Sequence, residues 1–435
     1  LAKVLFVCLA VFYSIQLLQH ALPDYLPKDW SAAHEGDALT DWKAARLYHL
    51  DVTPYSQLGL NLMKEGFTGH PPTTPFWYLP LAGFSKPLVA EISTLLLWFL
   101  LIPHIYLCAK ELKWPIPGAV TALGCALVLS TTWGVYHFNV IQFSEPMAFL
   151  YLIGWLCLRR GWDGAAGISL GAAATIKLFP GLMLVFLLLA RRWRAFFAGA
   201  AVYLSVAAFM TRAFGLDSWL FFFRQQEGIA NAWIANPQNS SLYGLVTRIL
   251  YPFCETVAHP SKTATYTSLA GSLLLLAIAV WACRNHLRCA RETDLRAIDL
   301  PYALFSVLSV FLNAWVWEHY YVFAIQPFFI LATVYGKTWQ TTLREWCDGI
   351  ARSGSLVLGN LLTLVGLAGL ALVLYALDAD HWLRGQLIGQ WQAGRDPYIH
   401  RLGHFMEAIN FLPWLVPIVL CVIALRLRPL RLLRD

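Results

Sequence analysis

The chain has 435 residues, of which 58% are hydrophobic and only 13% charged. A soluble domain carries about a quarter charged residues to cover its surface, so composition excludes an ordinary water-soluble protein. The formal net charge of +7 does not indicate nucleic-acid binding, because Lys and Arg gather at the ends of apolar segments, where topology signals lie.

Apolar runs of roughly 20 residues recur along the whole length, enough to cross a bilayer as helices. The runs are continuous, whereas a β-barrel needs short alternating strands. The sequence therefore predicts an all-α, polytopic transmembrane helical bundle, a single integral membrane domain over 1–435. Spans are predicted at 2–19, 88–108, 116–136, 142–158, 195–213, 265–283, 299–316, 319–336, 355–377 and 405–425. Only Lys3 precedes the apolar stretch of the first, and no small-residue cleavage site follows it, so it reads as a retained span. Basic clusters at Lys110 and Lys113, Arg159 and Arg160, Arg191, Arg192 and Arg194, Arg284 to Arg296, Lys337 to Arg352 and Arg426 to Arg434 are expected on the cytoplasmic side. That puts both termini in the cytoplasm and leaves outer segments at 20–87, 214–263 and 378–404. The nine cysteines have no CxxC or paired spacing and only Cys254 falls outside, so no structural disulfide is expected. No internal repeat is evident.

The first outer segment contains GDALTDWKAAR, Gly36 to Arg46. Asp37 and Asp41 are one helical turn apart and share a face, on a short helix that Leu39, Trp42, Ala45, Leu47 and Tyr48 would lay along the membrane surface. Either a carboxylate here takes a proton from a hydroxyl, or Asp37 caps the helix and Asp41 faces solvent. TTPFWYLPLAGFSKP, residues 73–87, joins four aromatic rings to three prolines; Trp77 and Tyr78 read either as an interfacial belt or as a platform for a sugar or a lipid tail. FNVIQFSEP, residues 138–146, brings Gln142, Ser144 and Glu145 to membrane depth, lining a cavity or capping a helix.

Arg160 and Arg191 are both expected in the cytoplasm, yet about thirty mostly apolar residues separate them. Two arms of about 13 residues are short of the ~20 needed to cross. AAATIKLFPG, residues 172–181, is then the apex of a broken hairpin that Pro180 helps to end, and Lys177 sits in a cavity open to the outside. The alternative is one long tilted helix with a snorkelling Lys177.

NPQNSSLYGLVTRIL, residues 236–250, offers Asn239 and Ser241 as caps of a helix beginning near Leu242, or as part of an anion site at its N-terminus. NAWVWEHYYV, residues 313–322, packs Trp317, Glu318, His319, Tyr320 and Tyr321 at an outward turn, where an imidazole either binds phosphate and moves protons or is satisfied within an aromatic girdle. The sequence has no HExxH, metal-ligand histidine spacing, GxxxxGK[ST] or GxSxG, so no metal, nucleotide or other cofactor is expected.

Taken in order, these motifs resemble glycosyltransferase family 87, the polyprenol-phosphate-dependent membrane enzymes of the GT-C fold, over about 36–335. GDALTDWKAARL is similar to that family's Asp-to-small-small-Arg opening, with Asp37 at its Asp, Arg46 at its close and Asp41 in place of a usual aromatic. PFWYLPLAGFSKP resembles its aromatic-Tyr-Pro-Pro element, with Leu79 for one Pro. IQFSEP keeps only Gln142 of a Gly-Gln-x-Asn element. Lys177 and Pro180 match in DGAAGISLGAAATIKLFPGLMLVFLLLARRWRA, Asn239, Ser241, Leu242 and Arg248 in NSSLYGLVTRIL, and Trp317 and His319 in VWEHYY.

The resemblance implies a GT-C bundle of about ten full spans plus the broken hairpin, with short interfacial helices in outer loops. It implies inverting transfer of a sugar, mannose or arabinofuranose, from a polyprenyl-phosphate donor to a glycolipid or polysaccharide hydroxyl on the extracytoplasmic face of the inner membrane. Asp37 or Asp41 would be the base and His319 an acid–base partner. Lys177, Arg248 and His319 would hold the donor phosphate. Trp42, Arg46, Trp77, Tyr78, Gln142, Asn239, Ser241, Trp317 and Glu318 would bind substrate among membrane lipids, with no nucleic-acid partner. The competing reading is a transporter or flippase of polyprenyl-linked sugars, which shares buried charge and broken hairpins but should show internal repeats.

Overall fold

The computed structural model describes residues 37–63, 69–130, 141–234, 239–250, 262–292, 294–347 and 412–427. The predicted spans at 2–19 and 355–377 and the outer segment 378–404 lie outside these residues. Within them the chain is helical, without strands. The first helices are α1 (Asp37–Tyr48) and α2 (Gln57–Met63), followed by a 3₁₀ turn over Thr74–Leu81. Then come α3 (Lys86–Glu111), α4 (Pro117–Ser130), α5 (Ser144–Arg159), α6 (Asp163–Ile176), α7 (Gly181–Leu189) and α8 (Trp193–Phe214). The rest are α9 (Asp217–Trp233), α10 (Leu242–Leu250), α11 (Lys262–Glu292), α12 (Asp299–Phe311), α13 (Ile325–Cys347) and α14 (Leu412–Leu427), with 3₁₀ turns at Leu295–Ile298 and Glu318–Ala324.

Among the described residues, α3, α8 and α11 are long and apolar enough to cross a membrane. Their composition explains them: straight-chain and small apolar residues propagate a helix, and Pro87 falls in the first turn of α3, where its missing N–H costs nothing. Much of α8 and α11 faces outward, with Phe197, Leu204, Leu273 and Leu274 exposed, as expected of lipid-facing surface. By contrast, α12 is buried on every side from Leu300 to Phe311, and a helix apolar all round belongs inside a bundle. The predicted span 299–316 is thus corrected to a shorter inner helix ending at Phe311. The span 319–336 is likewise replaced by the turn Glu318–Ala324 and the longer α13.

The hairpin takes the broken form. α6 stops at Ile176, Lys177 is extended at φ −142° and ψ 157°, and α7 restarts after Pro180. The two feet of the hairpin meet: Arg192 Nη1 lies 3.5 Å from Asp163 Oδ1. At 1.5 Å per residue the arms are about 21 and 14 Å long. Gly167 and Gly171 form a small-xxx-small stripe on α6 that lets α8 approach closely. A Cβ on Gly171 would come 2.7 Å from the Gly199 Cα.

The feet sit among further charges at one end of the bundle. Arg159 lies 3.6 Å from Glu111 and 3.5 Å from Asp299, Arg160 pairs with Glu111 at 2.5 Å, and Arg192 donates to the Ala290 carbonyl at 2.9 Å. The hairpin tip, carrying Lys177, lies at the other end of the hairpin from these charges.

Candidate functional site

Two contacts fix α1 against the stretch that follows it. The Trp42 indole donates to the Leu81 carbonyl at 2.9 Å, and His70 Nδ1 lies 2.6 Å from Asp41 Oδ2. Asp41 is fully buried and His70 is 6% exposed. A lone carboxylate there would carry a heavy desolvation cost, which the imidazole offsets. The backbone is built to deliver His70: Gly69 sits at φ 70°, a left-handed conformation open to glycine, and its carbonyl accepts from Gln226 of α9 at 2.7 Å. Phe143 packs edge-on against both the His70 ring (6.1 Å between centroids) and the Tyr78 ring (5.3 Å). Burial, and secondarily the Asp41 charge, raise the Tyr55 phenol well above its ordinary value, so it keeps its proton.

The same stretch continues to the hairpin tip. Thr74 Oγ1 donates to the Ile176 carbonyl at 2.7 Å, and the Trp77 indole donates to Thr175 Oγ1 at 3.0 Å. One residue further, buried Lys177 donates from Nζ to Tyr320 Oη at 2.8 Å and lies 5.0 Å from that ring's centroid. The next ring is that of buried His319, 4.5 Å from Tyr320. Residues 70–81 thus connect the acid–imidazole couple of α1 to the ammonium at the tip and, through Tyr320, to His319.

The turn before α10 is fastened to the residues just before Trp317. Asn239 Oδ1 accepts from the backbone N–H groups of Ser241 (3.1 Å) and Val316 (2.9 Å), and its Nδ2 donates to the Ile234 and Ala314 carbonyls. Ser241 Oγ accepts from Gly244 N at 3.0 Å as an N-cap and donates to the Ala314 carbonyl. Arg248 Nη2 donates to the Asn239 carbonyl at 2.8 Å. Asn239 and Ser241, expected as substrate ligands or caps, are occupied here as caps and clamps. Arg46 is exposed with its guanidinium 5.0 Å from the Trp42 ring, and Trp77 is exposed whereas Trp42, Tyr78 and Gln142 are buried. The side chains of Asp37 and Glu318 lie outside the described residues; helix α1 begins at Asp37. Trp317 is half-buried. Among the described residues no group of three His, Cys, Asp or Glu side chains is arranged for a metal ion.

The model of glycosyltransferase family 87 matches residues 67–312. The chain belongs to glycosyltransferase family 87. A curated relative from Mycobacterium tuberculosis (strain ATCC 25618 / H37Rv), a polyprenol-phosphate-mannose-dependent alpha-(1-2)-phosphatidylinositol mannoside mannosyltransferase, is 24% identical over 302 residues, 66% of this chain. The match spans 65% of that relative's length. The family-87 match contains His70, Lys177 and Arg248; the α1 carboxylates and the Trp317–Tyr321 turn lie beyond its ends.

Two imidazoles of this family-87 chain escaped sequence reasoning. His70 gave little signal beyond its place in GHPPTTP, since its partner Asp41 is 29 residues away. His104 sits inside an apolar span with nothing polar near it in sequence. In the fold its Nδ1 lies 2.9 Å from Glu145 Oε1, and both residues are 1% exposed. Glu145 is therefore neither solvent-facing nor a simple cap; it is half of a buried pair between α3 and α5.

Proposed function

We infer that this chain transfers a sugar from a polyprenyl-phosphate donor to a hydroxyl of a glycolipid or polysaccharide. The observation that carries the reading is the run of contacts from Asp41–His70, through Thr74 and Trp77, to Lys177–Tyr320. A single backbone stretch, residues 70–81, carries a partner of the buried Asp41 at one end and packs on the hairpin tip beside the buried Lys177 at the other, in a family-87 fold. The relative's polyprenol-phosphate-mannose donor supports mannose as the sugar and a phosphatidylinositol-type glycolipid as the acceptor.

The chemistry follows from the charges. As the anomeric C1–O bond breaks, its electron pair stays on the lipid phosphate. A preplaced ammonium stabilises that charge without the reorganisation water needs. Lys177 fills this role, and His319 and Arg248 are the further groups assigned to the phosphate. The acceptor hydroxyl loses its proton to the acidic side at α1, Asp37 or Asp41, and attacks C1 from the face opposite the phosphate, giving inversion. The exposed Trp77 ring is suited to a sugar face and the apolar helix surfaces to the prenyl tail. The site lies extracytoplasmically if the basic end described above is cytoplasmic.

Nothing in the fold or the comparisons favours a transporter. The test is purified protein in lipid nanodiscs with a panel of radiolabelled polyprenyl-phosphate sugars and membrane glycolipids. Label from the mannosyl donor should appear in glycolipid with inverted anomeric configuration. No transfer from any member of the panel would end this reading.

A further inference from the structure

Where α1 ends, the Asp51 N–H donates to the Tyr48 carbonyl at 3.2 Å and the Val52 N–H to the Leu47 carbonyl at 3.0 Å, with Asp51 at φ 53°. Glycine usually holds that position, and an acid at a helix C-terminus opposes the helix dipole, so the turn itself does not call for a carboxylate. It faces the last turns of α8 across a cavity of about 460 Å³, whose lining includes Tyr48, His49, Asp51, Phe209 and Arg212. That volume is in the range of small-molecule sites. The cavity opens to the surface, since His49, Asp51, Phe209 and Arg212 are exposed. Among the described residues neither Asp51 nor Arg212 has a charged partner.

Resting on the sugar-transfer reading, we propose that this cavity holds the acceptor, and that the acceptor is a phospholipid whose phosphodiester carries a polyhydroxylated ring. α8 starts beside the Arg192 foot of the hairpin, so Arg212 lies at the opposite end, the end of the Lys177 tip. Phe197, Ala201, Leu204 and Ala208 are exposed at helical spacing below Arg212, an apolar stripe for acyl chains that ends at a guanidinium. A guanidinium there pairs with a phosphodiester, Asp51 accepts hydrogen bonds from ring hydroxyls, and Tyr48 and Phe209 offer faces to the ring. An ethanolamine headgroup would give Asp51 an ammonium but present no hydroxyl to glycosylate. The cavity also connects to the reacting groups. Ring centroids step from Tyr48 to Phe209 (6.1 Å), Phe76 (5.8 Å) and Trp77 (5.9 Å), whose indole is bonded to the hairpin. Along α1, Tyr48 follows Asp41 by two turns on the same face, about 10 Å.

The test titrates the full chain in detergent with phosphatidylinositol, phosphatidylethanolamine and water-soluble glycerophosphoinositol, counting adducts by native mass spectrometry. Phosphatidylinositol should bind in preference to the other two. Arg212→Gln should weaken it about ten- to a hundredfold, as for loss of a charge-assisted hydrogen bond, without changing the melting temperature. Asp51→Asn keeps the turn, because asparagine also takes the left-handed conformation, and should weaken binding less. In transfer assays with the glycolipid that accepts label, Arg212→Gln should raise the acceptor KM by the same factor while kcat and the donor KM hold. Equal binding of phosphatidylethanolamine or of glycerophosphoinositol overturns the proposal, as does unchanged phosphatidylinositol affinity in Arg212→Gln. Lost lipid binding with an unchanged acceptor KM overturns the acceptor role. If the wild-type protein transfers no sugar while Arg212-dependent lipid binding holds, the sugar-transfer reading and the acceptor role both fail and a lipid site stands. Transfer that is indifferent to Arg212 leaves that reading intact and ends this one.

Discussion

Lys177 Nζ lies 2.8 Å from Tyr320 Oη, so the tip of the broken hairpin is fastened to the turn that follows α12. The ammonium and the phenol belong to segments 143 residues apart. A buried ammonium needs such partners, because a bare charge in an apolar interior is costly. Its placement is fixed by the fold rather than by side-chain flexibility.

Replacing Lys177 by Met should lower transfer by about 10²–10³-fold, the usual loss when one preorganised stabiliser of developing charge is removed. Tyr320→Phe should act differently. It strips a hydrogen bond to a charged group, typically about 1.5–3 kcal/mol, and so should lower thermal stability along with a smaller drop in rate. Steady-state transfer and detergent-solubilised melting, measured on both variants, check this.

Thr74→Val removes the donor that pairs with the Ile176 carbonyl. Stability should fall by about 1–3 kcal/mol, because a buried acceptor is left unpaired. Transfer should fall further than donor binding, since the contact sets the distance between the α1 side and the hairpin tip. A variant with the wild-type rate would mean that this tether does not govern the chemistry.

Asn239→Ala should be a stability mutant. Four bonds to backbone groups are lost, and at about 1 kcal/mol each the protein should unfold several degrees earlier. Donor and acceptor affinities, titrated below the melting temperature, should be unchanged. Weakened acceptor binding at full stability would return Asn239 to the substrate site.

Gly171→Val should destabilise the α6–α8 contact by about 1–3 kcal/mol or more through overpacking, since its Cβ would collide with the Gly199 backbone. Gly118→Ala is the control. Nothing lies within 4 Å of a Cβ built there, and alanine favours the helix by up to about 1 kcal/mol. Melting curves of the two proteins should move in opposite directions.

Much of this architecture was legible in the residues alone. Arg160 and Arg191 bracketing an apolar run too short for two crossings pointed to a hairpin rather than one long tilted helix, with Lys177 in its middle at the tip, and the break at Lys177 takes that form. Asn239 and Ser241 before Leu242 announced a helix start, although capping alone did not reveal that Asn239 also clamps Val316. The pairings of Asp41 with His70 and of Glu145 with His104 were hidden because no local pattern encodes a contact between distant segments. The length of α12 was misjudged for a related reason. Hydropathy measures apolarity and does not distinguish lipid from protein as the surroundings, so a fully enclosed inner helix read as a span.

The brevity of the hairpin arms bears on how this protein is made. A stretch of 14 helical residues followed by one of 9 cannot settle across about 30 Å of hydrocarbon by itself, and the backbone polar groups of its tip have no partners in lipid. On emerging from the ribosome it has nothing yet to lean on: the glycine-seated α8 and the interior α12 are both still to be synthesised. Biogenesis must therefore run partly backwards, with the hairpin held at the membrane surface or in the insertion machinery until its later neighbours arrive. Released chains truncated at Ala190 should leave it extractable, and released chains extended through Phe311 should lodge it.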